Sequence, residues 1–417
     1  MSKEFYIVGL DVGTHTVRGV QAKFAPETGE INIIGAAETE SHGVRKGVIV
    51  DIEESVSCIS KTLERLERMT AVPITSANIT VSGNHITSQQ SHGVIAVSRA
   101  DGEISEADII RCVDASQAIS IPQNREVLHV FPKTFTLDGQ TGIRDPLGMS
   151  GIRLEVDSII VQAGLPFVKN LTKAIMQSGV EIEDMVLAPL SASEAVLSKR
   201  QKDLGVCLID MGAGTTSLAV YEEGDLLHTA VLPVGSQHIT NDIAIGLRCG
   251  IETAEKVKLE FGHSDVKYIS KDQEINLSKL DSTEEQNTTR GYVVEIIEAR
   301  LEEIFSMIHA ELKKISRDGK LPSGIVLTGG GANMPGIVDF AKKHLRLPAN
   351  LGQVQNIHTI IDRVQDASFA SVCGLVLWGG HFGKNASSGE GIGAVFNKFL
   401  NHPKTEKIKG WFKSFLP

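Results

Sequence analysis

The sequence lacks any apolar run of the roughly 18–20 residues that a helix needs to cross a bilayer. Its N-terminus, MSKEFYIVGLDVG, has no long apolar region before a small-residue cleavage site, so a secretory signal is not expected. The five cysteines are dispersed, and no two of them have CxxC spacing. These absences favour a cytoplasmic protein whose thiols are reduced and do not bind metal.

An excess of positive charge is also absent. The 417-residue chain has a net charge of −10, which argues against general nucleic-acid binding because that requires a basic face. The last fourteen residues differ, since they contain four lysines and one glutamate. An acidic body with a basic end predicts that this end meets an anionic surface.

Strand-like and helix-like patterns alternate along the chain, which predicts an α/β fold. Two segments share one pattern: FYIVGLDVGTHTVRGVQA at residues 5–22 and GVCLIDMGAGTTSLAVYEEG at residues 205–224. Each reads as an apolar strand that ends in Asp, a turn of Gly and Thr, and a second apolar strand. Because one copy lies in each half, duplication of a whole domain is the simplest explanation.

The two turns predict a phosphate-binding site. Glycine exposes backbone N–H groups and permits positive φ, so a glycine-rich turn can surround an anion. The residues expected to do so are Gly13, Thr14, Gly212, Gly214 and Thr215. Asp11 and Asp210 precede the turns, and a carboxylate beside phosphates makes sense if a cation lies between them. We therefore expect both aspartates to anchor Mg²⁺ through water.

A third glycine-rich turn lies in GIVLTGGGANMPGI, residues 324–337. There an apolar strand is followed by Gly329, Gly330 and Gly331, which permit close approach of a base or a sugar. The segment lacks the spacing and the lysine of a Walker A loop, which excludes a P-loop enzyme. A dinucleotide fold is disfavoured because GxGxxG is absent from the strand–helix turns. Each turn alone is more often structural, but the three in order predict a nucleotide site.

The three motifs resemble the phosphate 1, phosphate 2 and adenosine motifs of the actin, heat-shock-70 and sugar-kinase superfamily. In that superfamily ATP lies in the cleft between two duplicated halves. Glu255 and Lys258, in TAEKVKLEFG, resemble the helical Glu-x-x-Lys pair that lines the nucleoside there. Taken alone, this pair would be a common surface ion pair of a helix.

Further stretches resemble the FtsA family of bacterial cell-division proteins. They are VSGNHI at residues 81–86, GIRDPLGMSGIRLEV at residues 142–156, residues 235–242 and EARLEEIF at residues 298–305. The resemblance extends over nearly the whole chain. It implies an actin-like duplicated two-domain fold with an inserted α+β subdomain, called 1C, and an amphipathic helix at the C-terminus.

This resemblance and the composition together give an expected division of the chain. Subdomain 1A is expected at residues 1–81 and 162–200, and 1C at 82–161. Subdomain 2A is expected at 201–240 and 318–382, and 2B at 241–317. The Gly/Ser-rich stretch 383–393 reads as a flexible linker, and residues 394–417 as a membrane-targeting tail.

The resemblance also implies a function. By this resemblance, the protein is expected to be an adaptor that binds ATP and Mg²⁺ and tethers filaments of the tubulin-like protein FtsZ to the cytoplasmic membrane. The C-terminal peptide of FtsZ would dock on 2B, whereas 1C would face later division proteins and neighbouring copies in a self-assembled polymer. The protein would lie peripherally on the cytoplasmic face of the inner membrane, at the division septum.

Two positions depart from the superfamily pattern. Many members of the superfamily that the motifs resemble have a lysine near the end of the first phosphate turn, where this chain has Thr16, and Arg18 is the nearest cation that follows. Hydrolysing members place Gln or Glu after the connecting helix to orient the attacking water, where this chain has Ala188. Glu194 lies nearly two helical turns further on. We therefore expect tight ATP binding with slow or negligible hydrolysis.

The C-terminal segment KIKGWFKSFLP has the pattern of a helix that lies in a membrane interface. Its apolar residues recur at helical spacing, and its lysines lie toward the other side. The apolar residues are Ile408, Trp411, Phe412, Phe415 and Leu416, and the lysines are Lys407, Lys409 and Lys413. The expected ligand is a surface of anionic lipids. A helix packed on the protein body is the alternative, which the preceding linker makes less favourable.

Three other classes of protein share parts of this pattern. A sugar or acetate kinase of the same superfamily needs a catalytic acid in a substrate cleft and has no use for the tail. A heat-shock-70 chaperone needs a long substrate-binding domain after the nucleotide domain. A type IV pilus assembly protein of related fold should lack both the terminal helix and the GIRDPLGMSG run.

Overall fold

The computed structural model describes residues 5–25, 27–98, 101–118 and 122–387, and begins with an antiparallel meander of three strands. A short hairpin and a helix follow, and the Asp51 carboxylate caps that helix by accepting from the Glu54 N–H. In chain order the elements are β1 (Phe5–Val12), β2 (Thr16–Ala25), β3 (Glu30–Glu40), β4 (Val44–Arg45), β5 (Val48–Ile49), α1 (Ile52–Thr70) and β6 (Ser76–Val81).

An inserted unit with its own antiparallel sheet follows β6. Its elements are β7 (Thr87–Ala96), α2 (Glu106–Ser116), β8 (Arg125–Leu137), β9 (Gln140–Ile143) and β10 (Arg153–Gly164), with sheet order β7-β10-β8-β9. Ser105 and Asp108 form a reciprocal capping box that starts α2. The last strand continues to Gly164, three residues past the expected end of the insertion at residue 161, because its pairing with β8 continues that far.

The chain then returns to the first sheet. The elements are α3 (Leu165–Gln177), β11 (Glu181–Leu187), α4 (Ala188–Val196) and α5 (Lys199–Leu204). Strand β11 pairs in parallel with β6, which gives a five-stranded sheet of order β11-β6-β1-β2-β3. Helices α1 and α3 bury apolar side chains, among them Ile59, Leu63 and Ile175, against one face of this sheet.

The second half repeats this plan with different helices. Its elements are β12 (Val206–Met211), β13 (Thr216–Glu222), β14 (Asp225–Leu232), α6 (Ser236–Leu247), α7 (Ile251–Phe261), β15 (Glu274–Asn276), β16 (Asn287–Thr289), α8 (Arg290–Lys314), β17 (Ile325–Thr328), α9 (Ile337–Leu345), β18 (Ala349–Leu351) and α10 (Ala370–Ser387). The sheet order is β14-β13-β12-β17-β18. Helix α8 buries the apolar stripe that includes Ile297, Leu301, Ile304 and Ile308.

The two five-stranded sheets have the same topology. In each, the first strand pairs antiparallel with the second strand and in parallel with a later strand: β1 with β2 and β6, and β12 with β13 and β17. The predicted duplication is therefore confirmed in the fold. Helix α10 then returns from the second half to pack on α4, β1 and β2 of the first, so it joins the two halves.

Helix α10 continues to Ser387, so it includes residues 383–387, which the sequence predicted as the start of a linker. Helix propagation costs little once a buried segment has formed the first turns, and this explains why the Gly/Ser composition did not end the helix there. Residues 388–393, and the tail predicted at 394–417, lie outside the described residues. Among the described residues, no helix combines the length and the apolar character needed to cross a membrane.

Candidate functional site

Two hairpin turns, one from each half, lie against one cavity of about 320 Å³ between the halves, called here the cleft cavity. The turns have the same geometry. Gly13 N–H donates to the carbonyl of Thr16 at 3.2 Å, and Gly212 N–H donates to the carbonyl of Thr215 at 2.9 Å. A Cβ at either glycine would lie 2.8 and 3.0 Å, respectively, from those same carbonyl oxygens, so both turns require glycine.

The structure brings together every residue that the sequence assigned to nucleotide binding. These residues belong to two strand ends, to three turns and to helix α7, and all of them line the cleft cavity. They are Asp11, Gly13, Thr14, Asp210, Gly212, Gly214, Thr215, Glu255, Lys258, Gly329, Gly330 and Gly331. Residues from both halves of the chain therefore meet at one cavity, which is the geometry that the three motifs in order predict.

The two aspartates at the strand ends have unusual electrostatics. The Asp11 carboxylate accepts from the Thr80 hydroxyl at 2.5 Å, and the Asp210 carboxylate accepts from the Ser371 hydroxyl at 3.3 Å. Burial raises the pKa of Asp11. Burial and the negative charge of Asp11 raise the pKa of Asp210 to about 7. The cleft cavity thus holds two carboxyl groups whose simultaneous ionisation is unfavourable.

Substitution of Asp210 by asparagine should stabilise the protein at pH 8 when no nucleotide or metal is present. A carboxyl group whose pKa rises on folding contributes stability below its unfolded pKa of about 4 and loses it as the pH rises through about 7. We expect Asp210→Asn to be more stable than the parent by about 1–2 kcal/mol at pH 8 and similar to it near pH 4. Urea unfolding at both pH values measures this, and an equal difference at the two pH values would contradict the assignment.

The backbone conformation of residue 329 and its close neighbours allow only glycine at this position. Its φ is +82°, and a Cβ there would lie 2.4 Å from Oδ1 of Asp210 and 2.6 Å from the carbonyl oxygen of Met211. Gly331 is also confined, since its Cβ would lie 2.9 Å from the same carbonyl. Gly330 has open space, with no atom nearer than 4.0 Å. Gly329 therefore lets the third turn approach the carboxylate that ends β12.

Glu255 and Lys258 form a partly buried ion pair on the cleft cavity rather than a fully exposed surface pair. Lys258 Nζ donates to Glu255 Oε2 at 2.7 Å and to Thr240 Oγ1 at 2.9 Å, and the Thr240 hydroxyl donates to Glu255 at 2.5 Å. Lys258 is only 8% exposed. Burial alone would raise the pKa of Glu255, but the Lys258 ammonium and the Thr240 hydroxyl hold it below its ordinary value.

Substitution of Lys258 by methionine should lower the free energy of unfolding by about 2–3 kcal/mol, because it leaves the Glu255 charge in the cavity without its partner. Addition of Glu255→Gln to this variant should restore most of the loss. Denaturant unfolding of the two variants measures this coupling. A double variant as unstable as the Lys258→Met variant would contradict the ion-pair account.

Arg18 is the cation that the first hairpin brings to the site. It lies opposite Asp11 in the β1–β2 register and lines the cleft cavity. Its guanidinium lies 5.4 Å from the centre of the Phe369 ring and 3.4 Å from a carboxylate oxygen of Glu38. Its positive charge partly offsets the rise in the pKa of both aspartates. Arg18 therefore faces the carboxylates, whereas Thr16 brings no positive charge to the cavity.

Other polar residues also line the cavity, but no sequence motif identifies them as site residues. Ser82, Ser236, Asn333, Ser368 and Ser371 line it from separate segments of the chain. Only the tertiary fold brings these common residue types to the site. Within the described ranges, no group of three or more His, Cys, Asp or Glu residues could hold a metal ion by itself.

Ala188 and Glu194 lie where the sequence placed them relative to the cavity. Ala188 begins α4 and lines the cleft cavity. Glu194 is not among the lining residues, and its carboxylate accepts from Lys202 Nζ at 2.7 Å. No side chain at the start of α4 therefore offers a carboxylate or an amide to a water molecule in the cavity.

Comparison with known proteins gives matches over nearly the whole chain. The family model described as cell division protein FtsA matches residues 207–374, and that of the SHS2 domain inserted in FtsA matches residues 83–162. Cell division protein FtsA of Pseudomonas aeruginosa is 34% identical over 408 residues, 97% of each chain. That of Bacillus subtilis is 39% identical over 345 residues, 83% of this chain and 78% of the relative.

The chain belongs to the FtsA family. Membership confirms the family that the sequence motifs indicated, and it gives the protein a role in cell division. The match to the inserted SHS2 domain, residues 83–162, lies within one residue of the insertion predicted at 82–161 and corresponds to the four-stranded unit β7–β10.

Solved structures support the actin-like fold of this FtsA-family chain. A chain of the PilM–PilN type IV pilus biogenesis complex has a TM-score of 0.65 at 16% identity, covering 89% of this chain and 98% of that one. MreB5 of Spiroplasma citri bound to ADP has a TM-score of 0.55 at 15% identity, covering 92% and 99%. At such identities the likeness shows the fold alone, so it does not favour a pilus protein.

Proposed function

We propose that this FtsA-family chain is an ATP-binding adaptor that links FtsZ filaments to the cytoplasmic membrane during cell division. The observation that carries the proposal is the meeting of three glycine-rich turns and two aspartates at one cavity between duplicated halves. Its volume of about 320 Å³ lies at the lower end of the range for small-molecule sites, roughly 300–1,000 Å³.

The lining residues suggest an orientation for ATP. Glu255, Lys258 and Gly329–Gly331 would surround the nucleoside, since the ion pair offers polar atoms to hydroxyl groups and the glycines admit a flat base. The hairpin turns at Gly13–Thr14 and Gly212–Thr215 would hold the phosphates through backbone N–H groups. The terminal phosphate would then lie at the end of the cavity furthest from Glu255.

The two aspartates fit a hydrated Mg²⁺. Both line the cleft cavity as acceptors, and burial raises the pKa of each, with the charge of Asp11 adding to the rise for Asp210, so a nearby cation would favour their ionised forms. Asp11 and Asp210 would hold the ion through its water ligands, which agrees with a site that offers two carboxylates rather than a full ligand set. When bound, the ion would supply charge neutralisation between the carboxylates and the phosphates.

Hydrolysis is expected to be slow or negligible, so that ATP acts as an assembly ligand. Ala188 offers no group to orient water, and Glu194 is held by Lys202 away from the cavity. Titration calorimetry with ATP, ADP and GTP tests binding, and phosphate release under saturating ATP tests turnover. Failure to bind ATP with Mg²⁺ would reject the nucleotide site, and turnover at the roughly 1–100 s⁻¹ typical of kinases would reject the ligand role.

Subdomain 2B, at residues 241–317, would receive the C-terminal peptide of FtsZ. Its surface exposes large apolar side chains, including Ile245 at 76% and Ile251 at 59%, which suit an apolar peptide. The inserted subdomain at residues 82–161 would face later division proteins and neighbouring copies in a polymer. These surfaces are separate in the fold, so one chain could engage both.

The tail would provide membrane attachment at the cytoplasmic face of the inner membrane, at the septum. The basic and aromatic residues at 404–417 form the amphipathic pattern on which this proposal depends. Each lysine near an anionic leaflet contributes about 1 kcal/mol, and three or four lysines together with the aromatic face suffice for reversible binding. Self-assembly would add multivalency and strengthen attachment without new contacts.

A further inference from the structure

A second cavity, of about 380 Å³, lies directly beside the cleft cavity. The two share Thr14 and Gly214, which therefore form the wall between them. We call the second one the seam cavity because both halves line it. The first half contributes the β4–β5 hairpin, and the second half contributes the start of α6. Its basic and amide side chains are Arg45, Lys46, Gln237, His238 and Asn241.

The β4–β5 hairpin lies between the two phosphate turns and contacts both. Gly47 N–H donates to Thr14 Oγ1 at 2.9 Å, which ties the hairpin to the first turn. A Cβ on Gly214 would lie 2.9 Å from the Cα of Lys46 and 2.5 Å from Thr14 Oγ1. The main chain of Lys46 therefore touches the second turn while its neighbour is bonded to the first. Lys46 adopts a left-handed conformation, with φ of +49°, to make this bend.

The charge of Lys46 is available for a ligand. Its side chain is exposed, and among the residues that the structure describes it forms no ion pair. The acids of the seam cavity are Asp51 and Glu54, and the Asp51 carboxylate is occupied in capping α1 at 3.0 Å from the Glu54 N–H. His238 Nδ1 accepts from Gly235 N–H at 3.2 Å, so the neutral ring has its own N–H at Nε2. The seam cavity thus offers several donors around one free ammonium group.

The position of the seam cavity relates it to the terminal phosphate of ATP. In the ATP orientation proposed above, the nucleoside lies at Glu255 and the third glycine turn, so the phosphate chain runs toward the wall of Thr14 and Gly214. The first turn, from Gly13 to Thr16, contains no lysine, and Arg18 faces the carboxylates. A cation for the terminal phosphate must therefore come from another element. The main chain of Lys46 lies against Thr14 and Gly214, and its side chain is long and flexible.

From these observations we infer that Lys46 recognises the terminal phosphate of the nucleotide and makes the site prefer a triphosphate to a diphosphate. The inference depends on the proposed ATP site and specifies its selectivity. ADP ends before the wall and cannot contact the ammonium group, whereas ATP extends to it. A charge-assisted contact to phosphate would therefore strengthen binding of ATP and leave that of ADP unchanged.

The test compares ATP and ADP affinities of the full chain and three variants by titration calorimetry with Mg²⁺ present. Lys46→Gln removes the charge at similar length, Lys46→Arg retains it, and Lys61→Gln removes an exposed lysine from α1 outside both cavities. We expect Lys46→Gln to weaken ATP binding about tenfold or more, with ADP binding within about twofold of the parent. Lys46→Arg should retain most of the preference, and Lys61→Gln should match the parent.

The affinities of the parent and of Lys46→Gln distinguish failure of the proposed ATP site from failure of the inference about Lys46. If the parent binds neither nucleotide, the proposed ATP site itself fails. If the parent binds both and Lys46→Gln weakens both equally, Lys46 is a structural residue of the hairpin and the inference is wrong. An unchanged ratio of ATP to ADP affinity in Lys46→Gln would also overturn it. Circular dichroism and thermal unfolding of each variant show whether the hairpin change has altered the fold.

Discussion

Valine in place of Gly329 is expected to eliminate nucleotide binding and to lower the free energy of unfolding by about 3 kcal/mol or more. The backbone at this glycine has φ of +82°, a conformation that β-branched residues rarely adopt. A Cβ would also lie 2.4 Å from Asp210 Oδ1 and 2.6 Å from the carbonyl of Met211. The third turn must therefore move away from the strand end on which the cleft cavity is built.

The adjacent glycine provides a matched control for this prediction. A Cβ on Gly330 would have no neighbouring atom nearer than 4.0 Å, and the residue needs no left-handed backbone. Gly330→Ala should change the stability by less than about 1 kcal/mol. Denaturant unfolding and ATP titration of both variants measure the contrast. Equal losses in the two would mean that the whole turn, and not the approach of Gly329 to Asp210, controls the site.

Glutamate at both Trp411 and Phe415 should weaken binding to anionic vesicles by about a hundredfold or more. Each of these side chains contributes about 1.5–3 kcal/mol when its apolar surface leaves water, and both contributions would be lost. Co-sedimentation with vesicles of phosphatidylglycerol and phosphatidylethanolamine measures the change. The cleft cavity is untouched in this variant, so its affinity for ATP should equal that of the parent.

Ser414→Glu is the control for the tail because it adds the same kind of charge on the polar side of the predicted helix. It should reduce vesicle binding only modestly, by the equivalent of about one lysine, or roughly 1 kcal/mol. If Ser414→Glu and the Trp411/Phe415 variant lose binding equally, charge alone attaches the tail. An interfacial helix with an apolar face would then be the wrong account.

The sequence predicted the parts of the site that lie at the ends of buried strands, namely the aspartates and the glycine turns after them. Asp11 and Asp210 end buried strands before glycine turns, and the repeat of that pattern located both hairpins and the duplication. The same reasoning could not find Thr80, Ser371 or Thr240, because their contacts depend on parallel strand pairing and on helix packing between distant segments. Serine and threonine occur throughout the chain, so these three residues could not be assigned to the site before the strand pairing and helix packing were known.

Element boundaries were less predictable than the elements themselves. The linker expected from residue 383 overlaps a helix that continues to Ser387, because helix propagation from the buried part of α10 outweighs local composition. The insertion also ends later than expected, at Gly164, since β10 continues its pairing with β8. The β4–β5 hairpin is two short strands around a turn, and no pattern in its residues indicated that it would lie between the phosphate turns.

The most direct test of the adaptor account is co-sedimentation of purified FtsZ filaments with anionic vesicles in the presence of this protein and ATP. FtsZ should pellet with the vesicles when the full chain is present. It should remain in solution when the Trp411/Phe415 variant is used, or when FtsZ lacks its C-terminal peptide. Pelleting of FtsZ to the same extent without this protein, or with the tail variant, would contradict the account.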